Sequence, residues 1–141
     1  MPRYEGNSFS PPAPVGHVHV IHPETGAKCP SVPMLIDSGA DVTVVPATVA
    51  QRLGISLAGA PEYELMAYDG TPRAVPAVRL KLVFLGRTFS GQFLLLEQES
   101  GIIGRNILNA IALVLNGPRL TWSEATASRR SRLGNSTFSI P

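Results

Sequence analysis

A carboxylate, a hydroxyl and a glycine stand together at Asp37-Ser38-Gly39, between the apolar run Met34-Leu35-Ile36 and the β-branched run Val42-Thr43-Val44-Val45. An aspartate in that setting projects from a loop held by strand on both sides, a suitable place for a group that takes or gives a proton. Taken alone, the tripeptide is also an ordinary tight turn, because Asp, Ser and Gly each favour one. A second stretch with chemical content follows well downstream, where Gly101-Ile102-Ile103-Gly104-Arg105-Asn106 runs from an apolar strand into the start of an amphipathic helix. Read singly, Arg105 and Asn106 are good residues for a helix's first turn, and Asp41 is a solvated acid.

The elements that must position these residues are mostly strands. Val15 to Ile21 alternate apolar and polar, His22-Pro23-Glu24-Thr25-Gly26 supplies a turn, and Val32 to Ile36 return, giving a hairpin that delivers Asp37. Pro46 to Gly54 fits a short helix, with proline near its start and glycine as its stop. Pro61 to Ala67 and Ala74 to Leu85 read as strands about the turn Tyr68-Asp69-Gly70-Thr71-Pro72, a protruding hairpin. Gly86-Arg87 turns the chain into Thr88 to Leu96, where Phe89 and Phe93 supply core bulk. Ala112 to Leu115 and Arg119 to Trp122 form a last hairpin about the two-residue signal Asn116-Gly117. Three regions are expected: a flexible arm over 1–14, rich in proline at its end, a domain over 15–122, and a tail over 123–141 that is rich in Ser, Thr and Arg. No internal repeat occurs, and no second Asp-Ser-Gly or Asp-Thr-Gly.

Bulk composition agrees with one mostly-β domain. The chain has 141 residues, and its 44% hydrophobic content supports a core, while 13 Gly and 13 Pro favour many turns over long helices. A formal charge of +2, with no basic face interleaved with aromatics, gives no support for a nucleic-acid partner. The one cysteine, Cys29, excludes an internal disulfide framework and a multi-cysteine zinc site. His17 and His19 share a strand face and His22 lies near, but no acid or cysteine has ligand spacing to them, so no metal is expected. No apolar run has the length of a membrane span and the N-terminus lacks a signal-peptide pattern, so the expectation is a cytoplasmic protein with no membrane partner.

Taken together, Leu35-Ile36-Asp37-Ser38-Gly39-Ala40-Asp41 and the later Ile102-Ile103-Gly104-Arg105-Asn106 resemble the retropepsin family, the aspartic proteases of retroviruses and their cellular relatives. The resemblance spans roughly residues 15 to 122. It implies an all-β, closed barrel-like acid protease fold with one short helix in the C-terminal half and one lobe per chain. It also implies an endopeptidase without metal or cofactor, built as a homodimer in which Asp37 of each copy activates water. The chain is expected to be too short for two lobes. Ser38 would hydrogen-bond across the dimer, Gly39 would leave room for substrate, and Ala40 would line the pocket. Asp41 would contact the polypeptide substrate, bound in extended form, and pair with Arg105, while Asn106 ties back toward Thr43 and Gly104 completes the support. The hairpin about Tyr68, Gly70 and Thr71 stands in place of the family's flap, although its single glycine and its proline depart from the usual apolar, glycine-rich tip. Strands from the chain ends close the family's dimer, and Thr137-Phe138-Ser139-Ile140 is the segment expected to do so. The rival reading is a module of the same fold that dimerises or binds protein with weak or absent catalysis.

Overall fold

Alternating side-chain burial marks the barrel strands, as period-two patterning requires of a sheet with one face inward. A computed structural model describes residues 2–66 and 69–125, together with the backbone of Thr137–Ser139. The strands are β1 (Val15–Ile21), β2 (Lys28–Ile36), β3 (Val44–Pro46), β4 (Glu62–Met66), β5 (Pro72–Phe84), β6 (Arg87–Leu96), β7 (Gly101–Ile103), β8 (Leu113–Asn116), β9 (Thr121–Glu124) and β10 (Thr137–Ser139). Two short helices accompany them, α1 (Ala47–Arg52) and α2 (Arg105–Leu108).

Strand order runs β10-β6-β3-β7-β2-β1-β5-β4, and an added β5–β6 pairing closes β6, β3, β7, β2, β1 and β5 into a six-stranded barrel. The single lobe and few helices match the expected acid protease fold. Closure removes the edges that an open sheet would expose. Along β6, Arg87, Phe89, Gly91, Phe93 and Leu95 are buried while the residues between them are half-exposed. Phe89 and Phe93 meet Val18, Val20, Met34, Leu80, Leu82 and Ile103 in the core, each large side chain contributing about 2 kcal/mol on leaving water. Turn chemistry fixes the register of the longest pair. Phe84 pairs with Arg87, and the intervening Leu85 and Gly86 have φ of 53° and 75°, the paired positive values whose twist suits a two-residue hairpin.

Residues 2–4 and 137–139 make pairings that the sequence did not indicate, and one hairpin differs from its expectation. Residues 2–4 lie beside β9, with Tyr4 N–H donating to the Leu120 carbonyl and Trp122 N–H to that of Pro2, while Glu5 pairs with Ala13. The hairpin between β8 and β9 turns through four residues, since Asn116 pairs with Thr121. Pro118 explains this: after Asn116-Gly117 it would have to begin the returning strand without a ladder N–H. The loop is closed by Asn116 Oδ1 accepting from Arg119 N–H at 3.2 Å and by Leu120 N–H donating to the Gly117 carbonyl. Thr137–Ser139, expected at a dimer interface, pairs in parallel with Thr88–Ser90 of β6 within the same chain. β9 is bound to the barrel by an ion pair of 2.6 Å between Arg87 and Glu124.

Candidate active site

Parallel pairing of β2 with β7 builds the site. Met34, Leu35 and Ile36 lie beside Gly101, Ile102 and Ile103, so the ends of both strands reach the same edge, and the chain must turn there in each case. Asp37 follows β2 directly, its N–H donating to the Ile103 carbonyl at 3.1 Å. Its Oδ1 accepts from Gly39 N–H at 2.9 Å, and its carbonyl accepts from Ala40 N–H at 3.2 Å. These two bonds close an Asx-type turn, the local arrangement that Asp supports more readily than other acids. Among the described residues the second oxygen, Oδ2, has no hydrogen bond. Asp37 and Ala40 are half-buried, whereas Ser38, Gly39 and Asp41 are exposed.

The stretch after β7 clamps this turn. Arg105 N–H donates to the Ala40 carbonyl at 2.8 Å, and Arg105 Nη1 to the Ser38 carbonyl at 2.9 Å. Thr43, 2% exposed, donates its hydroxyl to Asn106 Oδ1 at 2.7 Å and accepts from Gly104 N–H at 3.0 Å. Gly104 itself allows the crossing, because a Cβ there would run into the Val42 carbonyl and lie 3.0 Å from that of Ala40. The expected tie between Asn106 and Thr43 is thus present. The expected ion pair between Asp41 and Arg105 is not: Arg105 binds the Ser38 carbonyl, and the ion pair found among the described residues is Arg87 with Glu124. Both Asp41 and Arg105 are exposed, where an ion pair gains about 0–1 kcal/mol and competes poorly with a charge-assisted bond to a fixed carbonyl.

The protruding hairpin is β4 and β5, with Met66 opposite Pro72 at its last described pair. Gly70, at φ 83°, and Thr71 are exposed at the tip; Tyr68 lies outside the described residues. Thr71 N–H donates to Asp69 Oδ1 at 2.9 Å. That bond, and after it the Thr71 hydroxyl, hold the Asp69 carboxyl below the usual carboxylate range.

A cleft of about 430 Å³ opens between the hairpin and the clamp. Asp41, Val42, Thr43 and Asn106 line one side, Tyr63 and Leu65 of β4 the other, and Ala77, Gln92 and Leu94 the barrel wall. Tyr63, Gln92 and Leu94 were not singled out by the sequence. The available signal was period two: Tyr63 and Leu65 share one face of β4, and Gln92 shares one face of β6 with Leu94. Among the described residues no group of three His, Cys, Asp or Glu is placed to hold a metal. His19 and His22 use Nδ1 to accept backbone N–H bonds, from Ser31 and from Glu24 and Thr25. No helix among the described residues is long and apolar enough to cross a membrane.

A closed six-stranded barrel, entered by an aspartate turn between two strands and clamped from the next strand-to-helix junction, defines one retropepsin-like lobe. Residues 28–110, more than half of the chain, match the family model described as “gag-polyprotein putative aspartyl protease”, and the chain belongs to that family. The crystal structure of a retropepsin-like aspartic protease from Rickettsia conorii is 16% identical and covers 77% of this chain and 89% of that one, with a TM-score of 0.53. EIAV protease, in complex with the inhibitor HBY-793, is 19% identical over 75% of this chain and 91% of its own, with a TM-score of 0.48. At these identities the likeness to the Rickettsia protein is one of fold. No curated protein sequence matches the chain.

Proposed function

We propose that this chain is an aspartic endopeptidase that works as a homodimer, with Asp37 of each copy facing the other across a two-fold axis. The observation that carries the reading is the state of Asp37: one oxygen is fixed by Gly39 N–H, the other has no bond among the described residues, and the turn is held on both flanks. A carboxylate so placed can address a water molecule without reorganising. Peptide hydrolysis needs a base and an acid, and this chain supplies one such aspartate, so a second copy supplies the other.

The steps follow from two carboxyl groups sharing one proton. Close carboxylates resist joint ionisation, so one stays protonated near the pH at which the other is charged. The charged Asp37 takes a proton from water as the oxygen attacks the scissile carbonyl carbon, and the protonated Asp37 gives its proton to the carbonyl oxygen. The tetrahedral intermediate then collapses: the Asp37 that took the proton from water gives it to the nitrogen as the carbon–nitrogen bond breaks, a hydroxyl of the intermediate gives its proton to the other Asp37, and a carboxylic acid and an amine leave with the pair again sharing one proton. Gly39 gives the substrate room, Ala40 lines the pocket, Asp41 contacts the substrate backbone, and the hairpin tip with Tyr68, Gly70 and Thr71 covers it. Ser38 of each copy holds the two turns together. The substrate is an extended polypeptide lying as a strand, with its side chains entering pockets such as the cleft above Leu94.

The β8–β9 hairpin supports the second copy. β8 has no partner on its outer edge among the described residues, and Val114 and Leu115 on it are 48% and 53% exposed. An uncharged, apolar strand edge is a template for another chain. The test of the proposal is cleavage of a mixed peptide library by the unaltered chain and by Asp37→Asn, from about pH 4 to 7, with and without a pepstatin-type inhibitor. Cleavage that is inhibited, and lost by at least about 1,000-fold in the variant, is expected. Equal cleavage by both proteins sinks the proposal.

A further inference from the structure

Direct pairing carries a row of side chains across three strands of the barrel. Lys28 of β2 stands opposite Ile21 of β1, and Ile21 stands opposite Lys81 of β5, so all three point to one face of the sheet. Arg79, two residues before Lys81 on β5, shares that face. Lys28, Arg79 and Lys81 are exposed, and none takes part in an ion pair among the described residues, where the pair found joins Arg87 to Glu124. Strands β1, β2, β5 and β6 contain no Asp or Glu, so nothing on them offsets these cations; the turn between β1 and β2 adds one acid, Glu24. The face also reaches the cleft, because Arg79 pairs with Gln92, which lines the cleft together with Ala77 and Leu94. At the other edge of β6 the chain returns as β10 beside Thr88–Ser90. Beyond Glu124 the sequence leading there holds Arg129, Arg130 and Arg132 and no acidic residue.

We propose that this face is a docking surface for an acidic stretch of polypeptide, adjoining the cleft. It goes beyond the endopeptidase reading, since docking here requires no catalysis. Same-side residues of a strand repeat at about 7 Å, as do alternate side chains of an extended peptide. Arg79 and Lys81 therefore meet acids placed two residues apart in a peptide lying along β5. Lys28, two strands from Lys81 and so about 10 Å away, adds to the field that draws the anionic segment in. None of the exposed large hydrophobics belongs to β1, β2, β5 or β6. The face thus offers no aromatic platform for the bases of a nucleic acid and no apolar wedge for a bilayer. Each exposed charge pair is weak and screened by salt, so the three act together and the docking is salt-sensitive.

The experiment is a fluorescence-anisotropy titration of a labelled peptide of alternating Glu and Ser, near pH 7 in about 0.05 M salt. It compares the unaltered chain with a face variant that combines Lys28→Gln, Arg79→Gln and Lys81→Gln. A control variant combining Arg3→Gln, Arg52→Gln and Arg119→Gln lowers the net charge equally at exposed positions away from the face. The peptide is expected to bind the unaltered chain and the control alike, and the face variant at least about tenfold more weakly, with each single substitution costing about twofold. Added salt should weaken binding, and the same peptide with Gln in place of Glu should not bind. Equal affinity for the face and control variants, or no binding to the unaltered chain, overturns the assignment. So does tighter binding of a single-stranded oligonucleotide, or of phosphatidylserine vesicles, than of the acidic peptide. None of these results bears on the endopeptidase reading, which its own cleavage test decides.

Discussion

Thr43 joins more of the site than its size implies. Its hydroxyl is buried and spends both donor and acceptor capacity, on Asn106 and on Gly104 N–H. Thr43→Val keeps the shape and leaves two polar groups unpaired, so a loss of about 2–4 kcal/mol is expected in a urea titration; an unchanged midpoint would show that the clamp is incidental. Gly104→Ala tests the same junction by volume. Its Cβ would meet the Val42 carbonyl, a backbone atom that cannot swing away, and a loss of about 3 kcal/mol is expected. The Asp37 turn was legible from residue type and its strand flanks, whereas the contact of Asn106 with Thr43 was expected only through the family resemblance. The acceptor for Arg105 was not legible, because the choice between a side-chain carboxylate and the Ser38 carbonyl is made by where the turn points its backbone.

At the scale of elements, the hairpin tip carries its own titratable group. Asp69 is held below the usual carboxylate range chiefly by Thr71 N–H. A carboxylate with a lowered folded pKa contributes its stabilisation above the unfolded pKa and loses it as pH falls through the folded value. The contribution of the Asp69–Thr71 bond to the tip turn is therefore fully present above the usual carboxylate pKa of about 4. The acid limb of any activity is then expected from the proposed active centre rather than from the tip. Asp69→Asn, whose amide oxygen still accepts from Thr71, should leave that limb in place when kcat/KM is followed against pH; a displacement of more than about half a unit would tie the limb to the tip. Strand positions were readable because burial alternates with period two in β1 and β6. The Asn116-Gly117 turn was misread since the pair signals a two-residue hairpin only when the next residue can join the ladder, and Pro118 cannot. The pairing of residues 2–4 with β9 left no local signal, being decided by a free strand edge far along the chain.

For the whole molecule, barrel closure was legible only through the family resemblance, since no periodicity states that β5 reaches β6 and β6 reaches β3. The chain holds one Asp-Ser-Gly, and the proposed chemistry therefore depends on assembly. Val114→Lys with Leu115→Lys places two charges on the open β8 edge, and sedimentation equilibrium should show dimerisation weakened by about 100-fold or more; a dimer of unaltered strength would place the interface elsewhere. The most direct test of the central claim mixes unaltered and Asp37→Asn chains, refolded together at fixed total concentration, and measures peptide cleavage. If each active centre takes one aspartate from each copy, an equal mixture retains about one quarter of the activity, because only dimers with two intact copies cleave. Retention of about one half, with activity falling in direct proportion to the unaltered fraction, would mean that each chain works alone and would contradict the account.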